Sequence, residues 1–276
     1  MTKKDVIVIV GGGNIGVAIA RRVGTGKTIV LASLHTERAQ SDADVLNGSG
    51  FDVQVEQVDV SSRESVQQLA DTCTALGSIT GVIHTAGVSP VQATAETTLR
   101  VDLYGTALVL EIFGKVVAPD GSGIVISSQA GYMVPVPAEN EKLLAETPTE
   151  ELLGLSILSP EAIPNSAVAY GIAKRANQLR AQAESVKWGD RGARLNSISP
   201  GIIITPLAHD EMTGPGAASY QRMIDNCATK RVGTVDEVAA TAAFLMSDEA
   251  SFITGSDILQ DGGVIAGIKA GRITLD

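Results

Sequence analysis

The sequence predicts an α/β fold, with a doubly wound parallel sheet of about seven strands and helices on both faces. Short runs of β-branched apolar residues alternate with stretches of helical periodicity along the 276-residue chain. Aromatic residues make up only 3% of a chain that is 44% apolar, so Val, Ile, Leu and Ala must fill the core, as they do in buried parallel sheets. No change of composition marks a linker, and we therefore expect residues 1–276 to form one domain.

The expected strands end in polar or glycine-containing turns, where open parallel sheets collect their ligands. Strands are predicted at residues 5–10, 28–32, 51–58, 79–84, 123–128, 194–199 and 256–260. Helical periodicity predicts helices at residues 17–23, 63–76, 99–113, 170–188 and 235–246. The functional residues are therefore expected at the carboxyl ends of the strands.

The first strand runs into a glycine-rich turn that opens a helix, Gly11-Gly-Gly13-Asn14-Ile15-Gly16. Its glycines match G-x-G-x-x-G in the strand–turn–helix context that gives the motif its meaning. Without side chains, a pyrophosphate can approach backbone N–H groups at the helix N-terminus. A plain turn is the alternative, but the context favours a dinucleotide site of the Rossmann type, with Asn14 and Ile15 among its contacts.

The second strand ends at Ser33, Leu34 and His35, where NAD-preferring sites usually carry an acidic residue for the ribose 2′-hydroxyl. Ser33 brings no carboxylate to repel a 2′-phosphate, and His35 and Arg38 lie close enough in sequence to supply positive charge. The sequence therefore favours NADP as the cofactor. NAD is the alternative, because no arginine directly follows Ser33.

Two segments depart from the alternation of strands and helices. Residues 132–165 contain five prolines and six glutamates, and Thr147-Pro-Thr-Glu150 predicts a capping box before a short helix at Glu151–Leu155. This helical insert could wall a substrate cleft or make a subunit contact, since long loops in compact domains are uncommon without a role. Residues 202–231 are polar and contain glycine, and we expect them to form a lid over bound ligand.

Charge and composition argue against several kinds of partner and site. A net charge of −10 disfavours nucleic acid and anionic membrane surfaces. No apolar run reaches the roughly 18 residues of a spanning helix, and the amino terminus does not resemble a signal peptide, so we expect a soluble cytoplasmic protein. Cys73, Cys227 and the three histidines are scattered in the sequence, so no metal site is expected.

Tyr170 and Lys174 lie four residues apart in a predicted helix, which stacks their side chains on one face. A phenol with its ordinary pKa of about 10 is a poor acid or base near neutral pH. A neighbouring ammonium group favours the phenolate and lowers that pKa towards a useful range. Such a pair also occurs by chance on protein surfaces, so its meaning depends on the rest of the chain.

Several further motifs accompany this pair in a fixed order. They are the glycine-rich turn at 11–16, Asp59-Val60, His84-Thr-Ala86-Gly87, Ser127-Ser128, Tyr170-x-x-x-Lys174, Ser199-Pro200-Gly201 with Thr205, and the run from Arg231 to Gly263. Each is weak alone, but in this combination the chain resembles the short-chain dehydrogenase/reductase family over nearly its whole length. The insert before Tyr170 is similar to that of the bacterial 3α-hydroxysteroid dehydrogenase/carbonyl reductase type, where it is associated with altered dimer packing.

The resemblance implies a role for each matching position. Tyr170 would pass a proton to or from the substrate oxygen, while Lys174 would lower the pKa of Tyr170 and hold the nicotinamide ribose. Ser128, rather than Ser127, would hydrogen-bond the carbonyl or alcohol. Coenzyme contacts are implied for Asp59 at the adenine, Ala86 and Gly87 on the adenosine ribose side, and Ile203 and Thr205 at the carboxamide, together with Val60, Pro200 and Gly201.

Three positions depart from the family's pattern. The glycine turn is shorter than the usual Thr-Gly-x-x-x-Gly-x-Gly. Asp102 lies where the family commonly has a catalytic Asn, which is thought to hold a relay water through its backbone carbonyl. We expect Asp102 to be catalytic as well, and its carboxylate beside Lys174 could retune the Tyr170–Lys174 pair. His84 replaces the first Asn of Asn-Asn-Ala-Gly.

The resulting hypothesis is an NADP-preferring oxidoreductase, a homodimer or homotetramer, that moves a hydride between nicotinamide and a small-molecule secondary alcohol or ketone. An NADP(H)-binding redox sensor without turnover is the alternative, although a sensor would not need the serine, tyrosine and lysine. An enoyl reductase of this family would place its lysine seven residues after the tyrosine, where this chain has Asn177.

Overall fold

A computed structural model describes residues 4–91, 93–214 and 216–274. Its strands are β1 (Asp5–Val10), β2 (Thr28–Ser33), β3 (Asp52–Gln57), β4 (Ser78–His84), β5 (Ser122–Ile126), β6 (Arg194–Pro200) and β7 (Asp257–Gln260). All seven strands join one parallel sheet in the order β3-β2-β1-β4-β5-β6-β7. The predicted fold class is therefore confirmed.

Helices cover both faces of the sheet. They are α1 (Asn14–Val23), α2 (Thr36–Gly48), α3 (Arg63–Leu76), α4 (Ala95–Thr98), α5 (Thr106–Gly114), α6 (Ala138–Glu146), α7 (Ser166–Gly189), α8 (Pro206–Thr213), α9 (Ala217–Asn226), α10 (Val235–Met246) and α11 (Val264–Lys269). A π-helical turn (Leu99–Gly105) joins α4 to α5, and 3₁₀ helices lie at Gln129–Tyr132, Thr149–Gly154, Ser156–Leu158 and Asp248–Ala250.

The central strand β1 shows why its sequence is apolar without alternation. Val6, Val8 and Val10 pack into a core shared with α3, α5 and α7, whereas Ile7 and Ile9 pack into a second core with α1, α2 and α10. All five side chains are fully buried. Each contributes roughly 1.5–3 kcal/mol by leaving water, which makes β1 the anchor of both layers.

The order of the strands changes direction at β1, because β2 and β3 continue on one side of it and β4 to β7 on the other. The connections after β1 and β4 therefore leave the sheet in opposite directions and open a crevice at their carboxyl ends. Open α/β sheets bind their ligands in such a crevice.

Three elements near the carboxyl edge of the sheet begin or end at residues other than those predicted. Helix α1 begins at Asn14 rather than at Val17, so the glycine turn leads directly into its first turn. Strand β5 ends at Ile126, so the two serines that follow lie beyond the sheet rather than in it. The helix predicted at 99–113 begins earlier, at Ala95, and contains the π-helical turn.

The insert at residues 132–165 forms α6 and two 3₁₀ helices, but the predicted capping box is wrong. Thr147 is the C-cap of α6, and the 3₁₀ helix that follows has no side-chain cap. Glu150, which should have closed the box, accepts hydrogen bonds from Arg63 on α3 and from Tyr104. A tertiary ion pair has replaced the local cap, so the insert is tied to the body of the molecule.

Residues 202–231, the predicted lid, contain α8 and α9. Helix α9 contributes Met223 to a small apolar cluster with Ile202 and Val264. Within the parts of the chain that the structure describes, no helix is both long and apolar enough to cross a membrane.

Candidate active site

A cleft of about 370 Å³ opens at the carboxyl edge of the sheet, beside the crevice between β1 and β4. Its walls come from the start of α1, the segments after β4 and β5, helix α7, the residues after β6, and α9. Ser128, Tyr170 and Lys174 all line it. Asp102 lies just behind, since a Cβ placed on the lining residue Gly87 would be 3.1 Å from Asp102 Oδ2.

Helix α7 carries both Tyr170 and Lys174. It begins where the Asn165 side chain caps the helix by accepting a 3.0 Å hydrogen bond from the Val168 N–H. Lys174 Nζ lies 5.1 Å from the centre of the Tyr170 ring. The lysine is buried whereas the tyrosine is partly exposed, so the ammonium group sits beneath a phenol that reaches the cleft.

Lys174 is held from behind by Asp102, which is completely buried. Asp102 Oδ2 lies 3.0 Å from Lys174 Nζ, and its Oδ1 accepts a 2.7 Å hydrogen bond from the Val88 N–H. A Cβ on Gly87 would lie 3.1 Å from Asp102 Oδ2 and 3.2 Å from Lys174 Nζ. Glycine at position 87 therefore leaves room for the ion pair.

Burial and pairing act in opposite directions on these two charges. Burial raises the pKa of the Asp102 carboxyl, although Lys174 and the Val88 N–H act to lower it. Burial acts to lower the pKa of Lys174, but the charges of Asp102 and Tyr170 outweigh it, so that pKa lies above its usual value. Lys174 thus keeps its proton near neutral pH, and Asp102 takes one up at a higher pH than an ordinary aspartate.

The backbone of Asp102 is held by a second chain of hydrogen bonds. Thr106 Oγ1 donates to the Asp102 carbonyl at 2.7 Å, and His84 Nε2 lies 3.0 Å from the same hydroxyl. Because the threonine proton goes to the carbonyl, His84 must donate through Nε2. Burial and the charge of Lys174 lower the pKa of His84 to about 3, so its ring is neutral. His84 thus supports the π-helical turn from behind and stays outside the cleft.

The two serines after β5 have different surroundings. Ser127 is buried, and its Oγ donates to the Lys174 carbonyl at 2.8 Å. Ser128 is partly exposed, and its Oγ accepts from the Ala130 N–H at 3.1 Å. Accepting that bond leaves the Ser128 proton free to be donated, whereas the Ser127 proton is already used. The geometry favours the second serine, as the resemblance implies.

The glycine turn packs against the segment after β4. Gly11 has φ of +112°, and a Cβ there would lie 2.3 Å from the Ala86 backbone nitrogen. Thr85 Oγ1 donates to the Gly11 carbonyl at 2.7 Å, which ties the two segments together. A Cβ on Gly13, by contrast, would have no atom within 4 Å. Gly11 is thus required by packing, and Gly13 leaves open space before the N-terminus of α1.

Gly16 and Ile15 complete this wall. A Cβ on Gly16 would lie 2.8 Å from a methyl group of Ile9 and 3.0 Å from the Gly11 carbonyl oxygen, so this glycine lets α1 pack closely on β1. Ile15 lines the cleft. The predicted coenzyme residues of the turn therefore divide into two that packing requires and others that face the open side.

The residues after β2 surround the outer side of the turn. A Cβ on Gly12 would lie 3.3 Å from Ser33 Cβ, which puts the serine directly beside the turn. Arg38 extends from α2 and donates to Asn14 Oδ1 at 2.6 Å, while its own side chain stays exposed. Leu34 and His35 are exposed as well. A guanidinium group therefore lies over the outer edge of the glycine turn.

A second cavity, of about 350 Å³, lies beyond Leu34 and contains Asp59. The Asp59 carboxylate accepts hydrogen bonds from the backbone N–H and the hydroxyl of Ser61, at 2.9 and 2.7 Å. Val60, also predicted to contact the coenzyme, has a buried side chain, and a Cβ on Gly105 would lie 2.8 Å from it. The Val60 side chain is therefore part of the core.

The residues after β6 form the opposite wall of the cleft. Pro200, Gly201, Ile203 and Thr205 all line it. Gly201 N–H donates to the Gln260 carbonyl at 2.9 Å, and Ile203 forms a bridge with Gly233. Thr205 caps α8 by accepting from the Ala208 N–H at 3.1 Å. The cap fixes the start of α8, the first helix of the predicted lid.

The sequence prediction did not name several lining residues individually, although Met133 and Val134 lie in the predicted insert, and Tyr220 and Met223 lie in the predicted lid. They are apolar or neutral and lie mostly on the side away from the glycine turn: Val88, Pro90, Gln129, Met133, Val134, Tyr220 and Met223. No motif distinguishes these residue types from core residues. Gln129 had one usable signal, because it directly follows Ser128 in the sequence.

The two cavities and the turn between them fit a dinucleotide. The space in front of Gly13 can take a pyrophosphate, the cavity with Asp59 a base, and the cleft beside Tyr170 a nicotinamide together with a small substrate. Among the residues that the structure describes, no three His, Cys, Asp or Glu side chains come together in a group that could hold a metal ion.

Comparison with known proteins gives matches over most of the chain. A family model described as "KR domain" matches residues 5–101, and one described as "Enoyl-(Acyl carrier protein) reductase" matches residues 138–265. The short-chain dehydrogenase/reductase bsc3 of Alternaria brassicicola is 42% identical over 265 residues, which cover 95% of this chain and 96% of that protein. The D-threitol dehydrogenase of Mycolicibacterium smegmatis is 30% identical, with 90% and 88% covered.

A solved structure agrees in fold. The short-chain type dehydrogenase/reductase from Mycobacterium ulcerans superposes with a TM-score of 0.74, covering 96% of this chain and 91% of that one. Its sequence identity is 24%, so this likeness concerns the fold alone.

Proposed function

We propose that this chain, which belongs to the short-chain dehydrogenase/reductase family of oxidoreductases, transfers a hydride between NADP and a secondary alcohol or ketone. One observation carries the proposal: Ser128, Tyr170 and Lys174 converge on a single cleft at the edge of the sheet, with Asp102 paired to the lysine. A binding protein without chemistry would not need a buried ammonium group beside a phenol.

The residues of the cleft would handle the proton and orient the substrate. Bound NADP(H) would supply or accept the hydride. Ser128 would donate its hydroxyl proton to the substrate oxygen and so hold it beside Tyr170. Tyr170 would give that oxygen a proton during reduction and take one during oxidation. Lys174 would stabilise the phenolate form through its positive charge.

Asp102 would tune this arrangement from behind. Its ion pair with Lys174 keeps the lysine protonated and fixes the position of Nζ. The carboxylate also offsets part of the positive charge that acts on Tyr170, so the phenolate is favoured less than it would be with a neutral residue at 102. Asp102 is thus proposed to act through Lys174, as a positioning and tuning residue.

The preference for NADP over NAD rests on Ser33 and Arg38. No carboxylate occupies the end of β2, and Arg38 is held over the glycine turn by its hydrogen bond to Asn14. Guanidinium groups bind phosphates in a bidentate way, and a 2′-phosphate at the ribose would meet this one. The segment at 202–231, which begins at the edge of the cleft, is proposed to be the lid over the substrate.

An alcohol or ketone is favoured over an activated double bond as substrate. One matching family model carries the description of an enoyl reductase, but Lys174 lies one turn after Tyr170, and the position that such an enzyme would use is Asn177. The Mycolicibacterium smegmatis relative is, by its name, a dehydrogenase of D-threitol, which is an alcohol.

Replacing Tyr170 by phenylalanine tests the proposal. Tyr170→Phe should lower kcat with a panel of alcohols and ketones by about two to four orders of magnitude, the usual weight of a general acid or base, while NADPH still binds. Tyr104→Phe is a matched control, because this hydroxyl bonds to Glu150 on the surface and not in the cleft, and it should keep full turnover.

Unchanged turnover in Tyr170→Phe would refute the assignment of Tyr170. Tight NADPH binding by the wild-type protein, without oxidation of NADPH by any carbonyl compound of the panel, would instead support a redox-sensing protein.

A further inference from the structure

Gln129 lies at the cleft in a position that its packing does not explain. It directly follows Ser128, whose side chain caps the 3₁₀ helix that Gln129 begins. The glutamine is only 7% exposed, yet it is one of the residues that line the cleft. A polar side chain buried to this degree needs hydrogen-bond partners for its amide.

The partners of this amide are missing. Gln129 Oε1 is buried and accepts no hydrogen bond from any residue that the structure describes. Its Nε2 finds only Met223 Sδ at 4.0 Å, a weak acceptor. Both ends of the amide lie beside lining residues, since Met223 is one and a Cβ on Gly201, another, would be 3.0 Å from Gln129 Oε1.

Gln178, a neighbouring buried glutamine, shows the contrast. Its Nε2 donates to Ser199 Oγ at 2.9 Å and to the Ser128 carbonyl at 3.3 Å, and its Oε1 accepts from Arg175 at 3.0 Å. That amide is satisfied by the fold itself. Gln129, by contrast, lines the cleft with an amide whose oxygen has no hydrogen-bond partner among the described residues.

We infer that Gln129 is a substrate-binding residue and that the substrate carries a second oxygen, a hydroxyl group, besides the one that reacts. This inference rests on the proposed function and adds the substrate class to it. A hydroxyl group can donate to Oε1 and accept from Nε2 at the same time, which would satisfy both ends of the amide.

The other residues that line the cleft indicate the polarity of the remainder of the substrate. Around Gln129 the lining is largely apolar and includes Met133, Val134, Ile202 and Met223. A polyhydroxylated chain would bury hydroxyl groups without partners against these side chains, at a cost for each of them. The substrate class is therefore a hydrocarbon skeleton with two oxygen functions, a diol or a hydroxyketone.

Matched pairs of alcohols test the inference. The cis and trans isomers of 1,2-, 1,3- and 1,4-cyclohexanediol are compared with the corresponding methylcyclohexanols, in which a methyl group replaces the second hydroxyl. In the wild type, kcat/KM for at least one diol should exceed that of its methyl partner by about tenfold or more. In Gln129→Met that ratio should fall to about one, with the KM for NADP unchanged.

Thermal unfolding separates binding from a structural role. Gln129→Met should unfold at the same or a higher temperature than the wild type, because it removes a buried amide that has no partner. The matched variant Gln178→Met should unfold at a lower temperature, since it leaves several groups unpaired. Gln129→Leu is a second apolar variant, for which the same results are expected.

The inference would be overturned by a diol preference that survives in Gln129→Met, by a wild type that shows no diol preference, or by a fall in unfolding temperature as large as that of Gln178→Met. A rise in the KM for NADP with the diol preference kept would assign the amide to the coenzyme, and would overturn it as well. If the wild type oxidises neither series of alcohols, the proposed function fails, and this inference fails with it.

Discussion

The two walls of the cleft are built in different ways. On the wall proposed to bind the coenzyme (the coenzyme wall), the backbone of the glycine turn packs against the segment after β4 so closely that a Cβ on Gly11 would lie 2.3 Å from the Ala86 nitrogen. On the substrate wall, exchangeable side chains such as Gln129, Met133 and Met223 surround the cleft. One wall is defined by the absence of side chains and the other by their identity.

This difference determines which substitutions each wall can tolerate. A backbone surface suits a part of the ligand that stays the same, because an added side chain would either clash with the turn, as at Gly11, or fill the open space, as at Gly13. A side-chain surface can be rebuilt for another substrate without moving the sheet. The Asp102–Lys174 pair lies where the walls meet, behind Gly87, so both walls depend on it.

The largest effect is expected where the walls meet. Lys174→Met would leave the buried Asp102 carboxylate with only the Val88 N–H and should cost about 3–5 kcal/mol of unfolding free energy near pH 8. Burial already raises the pKa of Asp102 above its ordinary 3.8, so the unfolded chain loses this proton at a lower pH than the folded protein does, and stability falls as the pH rises above 3.8. Losing Lys174 raises that pKa further, and the cost grows.

Urea unfolding at several pH values measures this effect. The loss in Lys174→Met should be small below about pH 3, where the carboxyl is protonated in both states, and large near pH 8. The double variant Lys174→Met/Asp102→Asn should regain most of the stability at pH 8, because no buried charge remains. A loss that does not depend on pH, or a double variant as unstable as the single one, would contradict the account.

Gly11 and Gly13 of the coenzyme wall should respond differently to substitution by alanine. Gly11→Ala forces a side chain into a backbone with φ of +112° and against Ala86, and should cost about 3 kcal/mol. Gly13→Ala meets no atom within 4 Å, so its stability should be unchanged, while its Cβ fills the space for the pyrophosphate and weakens NADPH binding. Denaturation and coenzyme titration of the two variants distinguish these outcomes, and equal stabilities would contradict the packing argument.

The smallest effect concerns the choice of coenzyme. Arg38→Ala should lower kcat/KM for NADP by about tenfold and leave that for NAD nearly unchanged, since only NADP carries a phosphate for the guanidinium group. Arg21→Ala, an exposed arginine in the last turn of α1, is the matched control. Equal losses with both coenzymes would show that Arg38 supports the turn rather than the phosphate.

The same contrast explains how far the sequence could predict the structure. The seven strands and the glycine turn follow from local patterns, because a buried strand and a side-chain-free turn each need particular residue types in sequence. The capping box at Thr147 fails because Glu150 pairs instead with Arg63, which is far away in the sequence. The amide oxygen of Gln129 lacks a hydrogen-bond partner because of how distant segments pack around it, and no local sequence pattern predicts such packing.

The position of Asp102 could be predicted from the sequence only in part. The resemblance draws attention to a carboxylate beside Lys174, but the hydrogen bond from Val88 and the support from Thr106 and His84 come from the π-helical turn. Helical periodicity does not predict that turn, because it differs from an α-helix by one residue in its hydrogen bonding.

Transfer of deuterium tests the central claim, hydride transfer between coenzyme and substrate, most directly. NADPH labelled with deuterium in one or the other of its two positions at nicotinamide C4 is incubated with the protein and a panel of ketones, and the alcohols formed are analysed by mass spectrometry. If hydride passes from coenzyme to substrate, one of the two labelled forms, and not the other, should add about one mass unit at the carbinol carbon. NADPH that binds tightly while no product from either form carries deuterium would contradict it.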